Sequence, residues 1–182
     1  MKIRSADPAR DAARCAAIYR PFVERTAVSF EERPPSQREF AARIHQVTQT
    51  HAWLVAYDGG QLLGFAYGCP HRERAAYRWA ADIAVYVDPN HYRRGIGKML
   101  YQALFGLLQK QRVCVLCAGI TLPNDASVAL HESLGFGLIG VYRKIGYKLG
   151  RWHDVGWWQL ALRRQSDAPP PEPAAPNTGA AL

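Results

Sequence analysis

Several features that would fix the class of this chain at once are missing from it. No run of about eighteen apolar residues occurs anywhere, so no segment reads as a membrane-spanning helix. Met1 to Arg10 carries charges and no apolar stretch, which does not read as a secretory signal; a cytoplasmic protein is the expectation. Cys114 and Cys117 form a single CxxC with no second pair to complete a zinc site. They fall in a run, Val113 to Ala118, that reads as a buried strand, where residues three apart face opposite ways. Core thiols are expected, and no metal. No helix-turn-helix, zinc-finger or RNP pattern accompanies the basic charge, so no nucleic-acid partner is expected. His153-Asp154 lacks a G-x-S-x-G elbow and reads as a loop-fixing pair. There is no internal repeat.

The 182 residues suit one domain, with 48% apolar and 21% charged residues, an ordinary globular balance. The net charge of +8 suits an anionic partner, either a nucleic acid, an anionic surface or a polyphosphate. From Ser166 onward Pro and Ala dominate. A domain over residues 1–165 and a disordered tail over 166–182 are expected.

Ile3-Arg4 reads as a short strand, and Asp7 to Val23 as a helix with Asp7-Pro8 at its start. Ser36 and Glu39 form a capping box for a second helix to about Gln49. Trp53–Tyr57 and Gln61–Tyr67 flank Asp58-Gly59-Gly60, a strong hairpin signal. Trp79–Val87 reads as a longer strand, and the apolar spacing after Gly97 as an amphipathic helix. Val113–Ile120 is a strand, Asn124–Leu134 a helix ended by Gly135, and Leu138–Leu162 two strands. Strands mixed with helices imply an α/β layer fold.

The most informative stretch runs from Ile83 to Tyr101, where a strand feeds a basic, glycine-containing turn that opens a helix. First-turn amides have no partner inside the helix and carry the positive end of its dipole. Gly95 and Gly97 permit close approach of a phosphate, and Arg93, Arg94 and Lys98 add charge. A Rossmann turn would need a third glycine where Leu100 stands. A Walker A loop would need Ser or Thr where Met99 follows Lys98. An anion cradle and a plain turn with solvated arginines both fit these residues alone.

Tyr92-Arg93-Arg94-Gly95-Ile96-Gly97 resembles the pyrophosphate-binding motif of the GNAT acetyltransferase superfamily, Q/R-x-x-G-x-G/A, with Tyr92 where Gln or Arg is usual. Asn124 to Phe136 resembles that superfamily's second signature. Within the superfamily the chain is most similar to the phosphinothricin and methionine sulfoximine (sulfone) acetyltransferases. That likeness rests on Thr26–Phe30, His51–Ala56, Arg74–Trp79, Leu122–Asp125 and above all Lys148–Gln159.

The resemblance implies a mixed, mostly antiparallel twisted sheet flanked by helices, with acetyl-CoA in the cleft beside the central strands. It implies transfer of the acetyl group to the amine of a small amino acid analogue, as a detoxification, and a homodimer. Another amine, such as a protein or peptide N-terminus, is the alternative; a CoA-binding or nucleic-acid-binding protein is the non-enzymatic one. Cofactor contacts are implied at Val85, Tyr86, Val87, Arg93, Arg94, Gly95, Ile96, Gly97, Lys98 and Asn124. A strand amide freed by distortion near Val85 would polarise the thioester carbonyl. Phe30, Arg74 and Tyr77 are implied for the substrate. An ammonium must lose a proton before it attacks. Asp82, where related enzymes carry Glu, and His131 are the two candidates for that base.

Overall fold

The computed structural model describes residues 1–163 and 170–176. Its elements are β1 (Lys2–Ser5), α1 (Pro8–Arg25), α2 (Gln37–Thr48), β2 (Trp53–Asp58), β3 (Gln61–Pro70), β4 (Ala80–Val87), α3 (Ile96–Lys110), β5 (Val115–Leu122), α4 (Asp125–Glu132), β6 (Gly137–Lys148) and β7 (Arg151–Ala161). The seven strands form one sheet in the order β1-β2-β3-β4-β5-β7-β6. Among the described residues only β4 and β5 run parallel; the other pairs are antiparallel. This is the mixed α/β sheet expected from the sequence.

Local chemistry sets the boundaries. Asp7 accepts from the amides of Ala9 and Arg10, both at 2.9 Å, and so starts α1. Ser36 and Glu39 make the full reciprocal capping box at α2. Gly59 and Gly60 take φ of 55° and 84°, which closes the β2–β3 hairpin. Asn124 caps α4 through the Ser127 amide at 3.2 Å.

The sheet separates two cores. On one face α3 buries Leu100, Leu104 and Leu108 against Leu54, Leu63, Ala81, Ile83 and Leu116. Each such leucine contributes about 1.5–3 kcal/mol by leaving water. On the other face α1 and α2 cover Trp53, Val55, Leu62 and Phe65. Strand side chains alternate, so Ala81 and Ile83 face the α3 side and Asp82 faces the other.

Residues 170–176 differ from the disordered tail expected there. Glu172 makes a two-bond ion pair with Arg78, both contacts at 2.8 Å. The Trp79 indole donates to the Pro171 carbonyl at 2.9 Å, and the Ala174 amide to the Gln111 carbonyl at 2.9 Å. Composition measures how little apolar surface a segment can bury. This one is held by a carboxylate and backbone groups, which composition does not register. The remainder of the expected tail lies outside the described residues, as does the boundary placed at residue 165.

Candidate active site

The central parallel pair is short. β4 and β5 are in register at Ala80–Val115, Ala81–Leu116 and Asp82–Cys117, and then part. Beyond that rung β4 stays paired with β3 as far as Val87, while β5 stays paired with β7. The edges that Ile83–Val87 and Ala118–Leu122 turn toward one another therefore carry unpaired backbone groups. A slot runs between them, lined by Ile83, Val85, Tyr86, Ala118, Thr121 and Asn124. Val28 borders it from one face of the sheet, and Tyr101, Ser127 and His131 from the other. The expected strand distortion is absent: β4 keeps continuous register with β3. Divergence from β5, rather than a bulge, is what leaves its edge free.

The slot leads to the start of α3. Gly95 is the N-cap, with φ of 73° and no side-chain cap. The first intrahelical bond runs from the Met99 amide to the Gly95 carbonyl at 3.0 Å, so the amides of Ile96, Gly97 and Lys98 precede it. Arg93, Arg94 and Lys98 are exposed around this end. Arg93 holds a left-handed φ of 60°, a conformation that costs a non-glycine residue roughly 1 kcal/mol. A side chain added at Gly97 would grow toward Leu130, Val85 and Val87, across the slot mouth. The cradle and the slot thus form one continuous site for an anionic headgroup with an extended amide-bearing arm.

His131 lies behind the slot on the α3 side and is 3% exposed. Its Nδ1 is 2.7 Å from the Ser127 carbonyl, which can only accept, so Nδ1 carries the proton of the neutral ring. Nε2 is then the acceptor, taking the Tyr101 hydroxyl proton at 3.1 Å. Tyr101 and Phe136 meet the ring edge-on, each at 5.2 Å. Burial pushes the His131 pKa below the ordinary imidazole value, against a smaller opposing pull from Ser127. This histidine is neutral and bonded at both nitrogens.

Asp82 stands on the opposite face, at the rung where the strands part. Its Oδ1 is 2.6 Å from Nδ1 of His71, the first residue after β3. The His71 ring meets Tyr77 and Trp157 edge-on, each at 5.8 Å. Gly119 leaves room for that indole, since a Cβ there would stand 3.3 Å from its ring. The buried indole N–H of Trp157 has no hydrogen-bond partner among the described residues. The Arg72 guanidinium lies 5.8 Å over the same ring. Burial raises the Asp82 pKa, and the His71 hydrogen bond and nearby charges of His71 and Arg72 offset this only in part.

The donor atoms of His71, Asp82 and Cys117 lie within 4.8 Å of one another, a spacing a cation can bridge. Burial and the neighbouring carboxylate push the Cys117 thiol up to about 11, so at neutral pH the thiol stays protonated beside the hydrogen-bonded His71–Asp82 pair.

Phe30 is 40% exposed and lies over Gly146, where any Cβ would strike its ring. Its loop is pinned by the buried Lys148, whose Nζ donates to the carbonyls of Val23 and Ser29 at 2.6 Å each. Tyr77 reaches the Asp82 cluster through His71. Arg74 does not: it is exposed and lines a neighbouring groove with Gln49, Arg72, Arg78 and Glu172, whereas Arg72 also lies over the Trp157 ring.

The description "Acetyltransferase (GNAT) domain" matches residues 3–157. The chain belongs to the GNAT acetyltransferase family. It is 39% identical to the phosphinothricin N-acetyltransferase of Streptomyces viridochromogenes, over 98% of this chain and 95% of that one. It is 35% identical to an L-methionine sulfoximine/L-methionine sulfone acetyltransferase of Pseudomonas paraeruginosa, over 84% of this chain and 90% of that one. The crystal structure of a GNAT superfamily phosphinothricin acetyltransferase from Sinorhizobium meliloti, in complex with AcCoA, superposes with a TM-score of 0.89. There the identity is 34%, covering 97% of this chain and 96% of that one.

In this GNAT acetyltransferase the uncapped helix start is at Gly95 and the unpaired strand edge at Ile83–Val87. His71, Arg72 and Trp157 were not singled out from the sequence. A signal for His71 existed: extending β3 through Pro70 sets Pro70 opposite Ala81 and hence His71 diagonal to Asp82. His153 and Asp154 do not pair with each other. His153 bonds the Lys148 carbonyl at 3.0 Å, and Asp154 bonds Arg143 and the Lys144 amide, so each fixes the β6–β7 hairpin separately.

Proposed function

We propose that this chain transfers the acetyl group of acetyl-CoA to the amine of a small amino acid analogue of the phosphinothricin, methionine sulfoximine or methionine sulfone type. The carrying observation is the parting of β4 and β5 directly in front of the uncapped start of α3. The pyrophosphate sits on the amides of Ile96, Gly97 and Lys98, with Arg93 and Arg94 beside it. The pantetheine arm lies in the slot, hydrogen-bonding to the free edge of Val85–Val87 as an added strand does, with Asn124 at its side. The thioester then rests between Asp82 on one face and His131 on the other. Its carbonyl is polarised by the freed amides of β4.

The acceptor approaches from the Asp82 face. Tyr77, Phe30 and Trp157 wall its side chain, while the exposed Arg72 guanidinium meets its oxygen atoms. Arg72 takes the part that the sequence reading gave to Arg74. Asp82 holds the base for the ammonium; His131, neutral and fully bonded, shapes the thioester end of the slot.

A homodimer forms through the β6–β7 hairpin, where Leu138, Ile139, Tyr142, Ile145, Tyr147 and Trp152 are all more than half exposed. A cytoplasmic setting fits the four unbridged cysteines.

The test is a screen of purified protein with acetyl-CoA and each of the three analogues, common amino acids and a short peptide, read as released thiol. Release on an analogue is the expected result. Release on the peptide alone would replace the acceptor, and release on none would overturn it.

A further inference from the structure

We propose that His71 is the catalytic base of this enzyme, taking the proton from the acceptor ammonium at Nε2 while Asp82 holds the ring through Nδ1. The inference rests on the acceptor reading given above and names the group that acts there.

The geometry makes the assignment. Asp82 is the middle member of a cross-strand row, Cys69–Asp82–Cys117, at the last rung before the slot opens. Its short side chain spends Oδ1 on His71 at 2.6 Å. With the carboxylate as acceptor, Nδ1 must be the donor, so the lone pair of the neutral ring falls on Nε2. Nε2 makes no hydrogen bond to any described residue, and the side chain is 17% exposed. His131 is the reverse case, bordering the slot with both nitrogens bonded.

The ring is also held in place. Tyr77 and Trp157 meet it edge-on, and Asp82 fixes its rotation. The charged and titratable groups facing it are Asp82 from β4, Cys69 from β3, Cys117 from β5, and Arg72 and Tyr77 from its own connection. Burial holds both thiols near 11, so at neutral pH they stay uncharged. An imidazole is matched to taking a proton at neutral pH in a way that a carboxylate is not.

The step balances. The Nε2 lone pair removes one proton from the ammonium, leaving an amine and an imidazolium whose other N–H stays on Asp82. The amine nitrogen bonds to the thioester carbon, and the C–S bond breaks with its electron pair on sulfur. The proton lost by the new amide nitrogen goes to the thiolate, and the imidazolium releases its proton to water. One proton is released per acetyl transferred.

The experiment uses the full chain as His71→Ala and His71→Gln, with the amine the parent acetylates. We expect kcat/KM at pH 7 to fall about 10²-fold or more in both, with acetyl-CoA affinity unchanged by calorimetry. The acid limb of the parent profile should vanish, leaving a rate that follows the free-base fraction of the amine. Added imidazole should partly restore His71→Ala. Parent-like kcat/KM and acid limb in variants that bind acetyl-CoA would overturn the proposal. A second measurement needs no substrate: long-range 1H–15N correlation of His71 at pH 7. A proton on Nδ1 is expected, and a neutral ring carrying it on Nε2 would overturn the dyad. An inert parent with the Nδ1–H form would sink the acceptor reading instead, so the two failures are told apart.

Discussion

Two histidines flank the gap between β4 and β5, and their surroundings differ in almost every respect. His131 is buried against Tyr101 and Phe136 at the slot wall, with its nitrogens bonded to Ser127 and Tyr101. His71 sits at a loop mouth against one carboxylate, with one nitrogen left over. The same side chain is a packing unit in one place and a proton acceptor in the other. What separates them is the count of hydrogen-bond partners, and burial acts in the same direction. The contrast extends to the two faces as a whole. The α3 side holds the uncapped helix start at Gly95 and the packed rings of His131, Tyr101 and Phe136. The Asp82 side holds the hydrogen-bonded His71–Asp82 pair, with Nε2 of His71 bonded to no described residue.

The contrast is broken most severely from the cofactor side. Gly97→Glu places a carboxylate at the helix start and a side chain across the slot mouth. Glutamate is well tolerated in a first helical turn, so the fold should stand. Acetyl-CoA should bind at least about 100-fold more weakly in calorimetry, some 2.7 kcal/mol, with the melting temperature little changed. Tight binding in this variant would remove the cradle.

Next comes the acceptor side. Asp82→Asn should lower kcat by about 10²–10⁴-fold and leave acetyl-CoA affinity alone. Burial raises the Asp82 pKa, so the folded state resists its ionisation. Its ionisation therefore costs stability that is intact below about 3.8 and lost as pH rises through the folded value. At pH 7 the amide should melt no lower than the parent. A variant that loses activity through unfolding would do the opposite.

How much of this could be read from residues alone depends on the range of the interactions. The cradle is local: Gly95, Gly97 and three cations lie within six residues, and a helix start needs nothing from elsewhere. The capping box at Ser36–Glu39 and the hairpin at Gly59-Gly60 are local in the same sense. The acceptor side is not. His71 meets Asp82 only through the β3–β4 register, and Trp157 arrives from a strand 75 positions further on than Asp82. Arg74 was implied by the family resemblance, and nothing local in the exposed 71–74 connection says that Arg72 lies over the Trp157 ring. His131, expected as a catalytic group, borders the slot, but its bonded nitrogens depend on Tyr101, which lies thirty residues away on another helix.

His131→Ala tests the closed side. Removing the ring leaves a cavity beside Tyr101 and Phe136 and an unpartnered Tyr101 hydroxyl. Together these should cost roughly 2–4 kcal/mol in denaturant unfolding. Activity will fall as the slot wall loosens, but the acid limb of kcat/KM should keep its position. A lost or shifted limb would return the base to His131 and collapse the distinction between the two faces.

The smallest effect carries the sharpest sign. Burial lowers the folded pKa of His131, and of His51, below the ordinary 6.5. The unfolded chain then binds more protons than the folded one as the pH drops through about 6.5. The stability contribution is complete above that value and erodes below it, until the folded-state pKa is passed and the loss levels off. Urea unfolding of the parent between pH 7.5 and 5 should therefore show a falling midpoint. In His131→Gln, which cannot take up a proton in either state, the fall should be shallower by the share that His131 contributes. An unchanged slope would mean that the ring is accessible to protons in the folded state. It would then no longer be the sealed counterpart of His71.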